Sequence, residues 1–163
     1  MSVKAPILIF AYGNVSRGDD GLGPLLLERI ESHIDPQQVE LLCDFQLQIE
    51  HALDLEGRRL VLFADAAVNL STPYRFNQIN GIQDKSYTSH AMSPEAVVFT
   101  AQHTLKQTLP PVYLLSIQGI EFELGSELSP TAKHNLAEAQ KFVLDLLENS
   151  NPDYWVSAAS ASL

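Results

Sequence analysis

A chain of 163 residues is close to the length of one ordinary domain and leaves no room for two. Hydrophobic residues make up 45% and charged residues 18%, a balance that forms a core and excludes an intrinsically disordered chain. Ten Lys and Arg against twenty Asp and Glu give a net charge of -10, a field that repels phosphate backbones and anionic headgroups, so neither nucleic acid nor a membrane is expected as a partner. The single cysteine, Cys43, excludes an internal disulfide, and its apolar neighbours predict a small buried thiol.

The apolar run from Ala5 to Tyr12 is too short to span a bilayer and is followed by Gly-Asn with no small-residue cleavage site. It reads as a first strand, and the protein as cytoplasmic. A helix is predicted from Asp19 or Asp20, because Leu22, Leu25, Leu26 and Ile30 recur at helical spacing behind an acidic start. A second strand follows at Val39 to Asp44, then a short helix around Ile49 to Leu55. A third strand at Arg59 to Ala64 runs into Asp65, and Pro73 to Ile79 reads as a weaker strand near an edge. Ser93-Pro94 and Ser129-Pro130 each place a capping Ser ahead of a Pro at the first helical position, predicting two more helices around a buried strand at Val112 to Ile117. Strands that alternate with helices imply an α/β fold, a three-layer sandwich whose mainly parallel sheet is covered on both faces. One domain over residues 1–148 is expected, and from Asn149 the Asn, Pro, Ser and Ala content predicts a flexible tail over 149–163.

In open α/β sheets ligands sit beyond the carboxyl ends of the strands, so the residues just after each apolar run are the informative ones. Gly13 and Gly18 have the glycine spacing of a phosphate-binding loop, but Asp19 and Asp20 stand where a Lys and a hydroxyl residue would follow. With that charge reversed, the loop suits a cation or acid-base work, or Asp19 and Asp20 simply cap the helix. Asp65 ends its strand on the same expected edge, either as a functional carboxylate or as a turn cap. His90 lies on the loop entering a helix, where a histidine is either plain surface or a ligand. Together, Asp20, Asp65 and His90 form a ligand set suited to a divalent transition metal with open positions. His33, His51, His103 and His134 show no paired spacing and read as surface residues. The sequence contains no His-Glu-x-x-His, Gly-x-Ser-x-Gly or Cys-x-x-Cys, and Gly18, Gly21 and Gly23 run in the reverse order of a dinucleotide fingerprint.

Four motifs occur in order: Gly13-Asn14 with Asp19-Asp20-Gly21-Leu22-Gly23, Ala64-Asp65-Ala66, Ser89-His90-Ala91-Met92-Ser93-Pro94, and Gly119-Ile120-Glu121 followed by Leu128-Ser129-Pro130. In these, from about Ile7 to Leu147, the chain resembles the maturation proteases of nickel-iron hydrogenases. The resemblance implies an α/β fold with a twisted sheet of about five strands. It also implies a peptidase that trims a short C-terminal peptide from a nickel-loaded large-subunit precursor. Asp20, Asp65 and His90 take the positions of the family's metal-contacting, catalytic set, and Asn14, Asp44 and Gln46 fall where substrate contacts are expected. The nickel would arrive with the substrate, and no permanent cofactor is implied. One departure stands out: many members follow the second strand with Asp-Gly-Gly-Thr, whereas here Asp44 precedes Phe45-Gln46-Leu47-Gln48. That substitution points to a subfamily with its own hydrogenase partner.

Three roles for the metal site remain open at the level of sequence. Nickel could serve as a template or as a Lewis acid toward water, or Asp20 or Asp65 could act directly as a general base. The same residues would also suit a checkpoint protein that recognises the loaded precursor without cutting it; product mass separates the two. A small-molecule metallohydrolase would instead bind metal tightly by itself, which equilibrium dialysis with nickel and zinc would expose.

Overall fold

The computed structural model describes residues 3–83, 92–105 and 108–161. Its strands are β1 (Ile7–Tyr12), β2 (Val39–Asp44), β3 (Leu60–Ala67), β4 (Tyr74–Ile79) and β5 (Val112–Gln118). Its helices are α1 (Leu22–Ile30), α2 (Pro94–Thr104), α3 (Pro130–Glu148) and α4 (Pro152–Ala161). The strands form one five-stranded sheet in the order β2-β1-β3-β5-β4. All neighbours are parallel except β4, which pairs antiparallel with β5 at the edge.

Because successive strand side chains point to opposite faces, each central strand feeds two cores. Ile7, Ile9 and Ala11 of β1 and Leu60, Leu62 and Ala64 of β3 face α1, α3 and α4. Leu8, Phe10, Val61 and Phe63 face α2 and the 3-10 turn at Ile49–Leu55. This is the three-layer arrangement that the alternation of elements predicts. The two Ser-Pro starts behave as expected: Ser93 Oγ accepts from Ala96 N–H and Ser129 Oγ from Ala132 N–H, each at 3.1 Å.

Several elements differ from the sequence reading. The helix expected from Asp19 or Asp20 begins at Leu22, after a short 3-10 turn at Gly18–Gly21. The third strand runs past Asp65 to Ala67, because β5 pairs Asp65, Ala66 and Ala67 with Ser116, Ile117 and Gln118. Cys43 is exposed and not buried. It lies on an edge strand, and the apolar cover that reaches Val39 and Leu41 does not extend to it.

The flexible tail expected after Asn149 is, from Pro152 to Ala161, a docked helix. Asn151 Oδ1 accepts from Tyr154 N–H at 2.8 Å, so Asn151-Pro152 starts α4 much as the Ser-Pro pairs start α2 and α3. Trp155 is 0% exposed, edge-on to Phe76 and Tyr113, and its indole N–H donates to the Leu146 carbonyl at 3.0 Å. An aromatic side chain of that size placed against the core gives the segment the apolar burial that its composition conceals. No helix among the described residues is long and apolar enough to cross a membrane.

Candidate active site

Strand β1 ends at Tyr12, while its neighbour β3 continues for three residues past Ala64, the last residue paired with β1. The chain leaves β1 at Gly13, whose φ of +147° an L side chain rarely adopts, and a Cβ there would stand 2.1 Å from the Asp20 carbonyl oxygen. That turn borders a cleft at the carboxyl edge of the sheet, and the overhanging end of β3 brings Asp65 to the same edge.

Close enough for its charge to act on Asp65, Asp20 reaches the same edge. Its Oδ2 accepts from the Asn14 N–H at 2.8 Å, while Asn14 Oδ1 accepts from the Ser16 N–H at 2.9 Å, so the loop is folded around the carboxylate. Asn14 thus shapes the Asp20 loop with both its main chain and its side chain. Burial pushes Asp65 up to about 7, and the nearby Asp20 charge adds to this against the lowering effects of the Ala66 N–H and the Tyr12 hydroxyl. Two carboxylates, one from the turn after β1 and one from strand β3, thus feel each other at this edge, and one holds its proton into the neutral range. Burial also raises the Tyr12 phenol far above its usual range, followed by the charge of Asp65, its bond to Asp65 and the charge of Glu95. Tyr12 therefore keeps its phenol proton at any ordinary pH.

Asp19, next to Asp20 in the chain, faces away from the cleft and is 0% exposed. Its Oδ2 accepts from the N–H groups of Ile120 and Glu121 at 2.8 and 3.0 Å and from the Ser129 hydroxyl at 2.7 Å, while Oδ1 accepts from the Ser129 N–H at 2.8 Å. Burial alone would raise its pKa, but these four bonds outweigh that and hold it below the usual carboxylate range. Asp19 ties the loop after β1 to the loop after β5 and to the start of α3, a longer-range role than the helix cap that sequence allows it.

Asp44 ends β2 opposite Tyr12 in the β1–β2 register. Its partner is one the sequence reading missed. His51, taken there as a surface residue, is only 8% exposed and sits edge-on to Phe10 with ring centroids 4.6 Å apart. Its Nδ1 accepts from the Gln48 N–H at 2.8 Å, which leaves the ring proton on Nε2, 3.3 Å from Asp44 Oδ2. The signal available in the sequence was its place three residues after Gln48 at the start of a turn, the spacing of a capping box.

Beside Asp44 lies a mainly apolar groove of 270 Å³ lined by Gly13, Val15, Pro24, Cys43, Asp44 and Phe45, and Phe45 is 71% exposed. Gln46 is exposed on the same loop. His90 lies outside the described residues. Among those residues, no three His, Cys, Asp or Glu side chains gather in a way that could hold a metal ion.

No protein-family profile matches the chain, and neither does any curated protein. Solved structures do. The hydrogenase maturating endopeptidase HybD from E. coli superimposes with a TM-score of 0.70 at 23% identity, over 89% of this chain and 93% of that one. The [NiFe] hydrogenase maturation protease HycI from Thermococcus kodakarensis KOD1 gives 0.66 at 21% identity, over 90% and 95%. A hydrogenase 2 maturation peptidase from a Thaumarchaeota archaeon gives 0.58 at 22% identity, over 86% and 97%. The resemblance read from four short motifs is borne out in three dimensions: the chain has the fold of the nickel-iron hydrogenase maturation endopeptidases.

Proposed function

We propose that the protein is an endopeptidase that removes a short C-terminal peptide from the nickel-loaded large-subunit precursor of a nickel-iron hydrogenase. The observation that carries this reading is the coupled pair Asp20 and Asp65 at the carboxyl edge of a sheet with that fold. Nickel belongs to the substrate here, held by the precursor and presented to Asp20, Asp65 and His90.

The electrostatics of the resting pair suit that role. Asp65 is buried beside a like-charged neighbour, so its ionised form is disfavoured until a positive charge approaches. A cation docked between Asp20 and Asp65 relieves their repulsion and draws off the Asp65 proton. The site therefore favours a precursor that carries its metal over one that does not. Once docked, the metal places the scissile peptide at the cleft, where a carboxylate or a metal-polarised water starts hydrolysis. Asp44 and the apolar groove beside it would hold the adjoining peptide, with the exposed Gln46 two residues after Asp44 and the half-buried Asn14 between the groove residues Gly13 and Val15.

Processing assays on Asp20→Asn, Asp65→Asn and His90→Gln test the assignment. Each is expected to lower cleavage by at least about a hundredfold, the scale of a lost acid-base or electrostatic group. Normal cleavage by all three variants would refute the site.

A further inference from the structure

Asp20 and Asp65 belong to different elements, one to the 3-10 turn at Gly18–Gly21 and the other to β3, so the gap between them has to be fixed by bonds that join the two. A continuous path of hydrogen bonds does this. From Asp65 the end of β3 is paired with β5, Ala66 with Ile117 and Ala67 with Gln118, and the Gly119 N–H donates to the Ala67 carbonyl at 2.8 Å. The next two N–H groups, of Ile120 and Glu121, donate to Asp19 Oδ2 at 2.8 and 3.0 Å, and the Glu121 carbonyl accepts from the Asp19 N–H at 2.7 Å. The Ser129 N–H and hydroxyl complete the grip on the Asp19 carboxylate at 2.8 and 2.7 Å. The packing is as close as the bonding: a Cβ on Gly119 would stand 2.7 Å from the Asp19 Cβ. Asp20 is the next residue in the chain, so the path runs from one cleft carboxylate to the other through the Asp19 side chain.

We infer that Asp19 is a positioning residue, acting through Asp20 to set the spacing of Asp20 from Asp65 that receives the substrate's cation. This rests on the peptidase reading above. A four-residue 3-10 turn has poorly aligned hydrogen bonds of its own and little stiffness without outside support. A buried, fully bonded carboxylate supplies that support, because a satisfied polar network rigidifies what it joins. The spacing matters because a first-row divalent ion holds carboxylate oxygens at about 2.0–2.2 Å, as zinc does. A shift of about 1 Å in one carboxylate breaks its contact, and misplacement on that scale costs about a hundredfold in rate. Docking and hydrolysis both use the pair, so the loss falls on kcat/KM as a whole.

Asp19→Asn keeps the size of the side chain but offers one acceptor oxygen to donors that now approach two. Processing of a nickel-loaded precursor, measured where circular dichroism shows the variant folded, should show kcat/KM at least about tenfold below the parent. Trp155→Ala, destabilised where α4 packs on Phe76 and Tyr113, should stay within about twofold of the parent under the same conditions. Ser129→Ala leaves the Asp19 charge in place, drops the hydroxyl bond and should lower kcat/KM about fivefold, whereas Ser129→Thr restores the hydroxyl and the activity. Crystal structures of the parent and Asp19→Asn should show the turn at Gly18–Gly21 displaced from β3 by more than about 0.5 Å in the variant. An unchanged Asp20–Asp65 separation, an unchanged kcat/KM in Asp19→Asn, or an equal loss in Trp155→Ala would overturn the inference. If Asp19→Asn does not fold, the Ser129 pair decides by the same readings. If the parent cuts no precursor, the peptidase reading falls, and the separation of the two carboxylates in the variant crystal still decides the role of Asp19.

Discussion

Asp19 and Asp20 are adjacent and chemically identical, yet their surroundings give them opposite tasks. Asp19 is buried and bonded to Ile120, Glu121 and Ser129, whereas Asp20 is partly open and bonded to Asn14 at the cleft. Replacing Asp19 by Ala strands the N–H groups that it satisfies, and bonds to a charged group contribute about 1.5–3 kcal/mol each without adding fully. Asp19→Ala should therefore lose about 3 kcal/mol of stability at neutral pH by urea unfolding. The sign of its pH dependence follows from its lowered pKa. Stability from a carboxylate of this kind is fully present above its unfolded pKa and is lost as pH falls through the folded value. The parent protein should lose more stability than Asp19→Ala on acidification below the ordinary carboxylate range, and parallel curves for the two would contradict the account.

Secondary structure was legible wherever the determining signal was local. Central strands appear as unbroken apolar runs, and Ser-Pro pairs mark the starts of α2 and α3. α4 carries the same kind of signal in Asn151-Pro152, but its Ser- and Ala-rich composition reads as a tail unless Trp155 is credited with an anchor in the core. Trp155→Ala should cost about 3–5 kcal/mol, the usual range for truncating a buried aromatic side chain. Thermal unfolding measures this directly, and a change under about 1 kcal/mol would show α4 to be an ornament on a core that is complete without it. The end of β3 was misjudged for a different reason. Nothing within Leu60 to Ala67 announces that pairing with β5 carries the strand beyond Asp65.

Across the whole molecule, the succession of strands and helices along the chain could be anticipated as far as α3, and so could the edge of the sheet that carries Asp20 and Asp65. Partnerships set by register between distant strands could not: the influence of Tyr12 on Asp65 depends on how β1 aligns with β3, and the burial of His51 on how its turn folds back onto Phe10 and Asp44. The net charge of -10 is a property of the whole surface, while the coupled carboxylates concentrate negative charge at one cleft. Exposed apolar side chains also gather in the loops at that edge: Val15 after β1, Phe45 after β2, Val68 after β3 and Ile120 after β5. An acidic cleft bordered by apolar side chains suits a protein substrate that brings a cation with it.

The central claim is tested most directly by incubating the protein with a hydrogenase large-subunit precursor prepared with and without nickel, and weighing the products by mass spectrometry. The nickel-loaded precursor should lose a short C-terminal peptide while the nickel-free form keeps its full mass. A loaded precursor left at full mass, or equal shortening of both forms, would contradict the account.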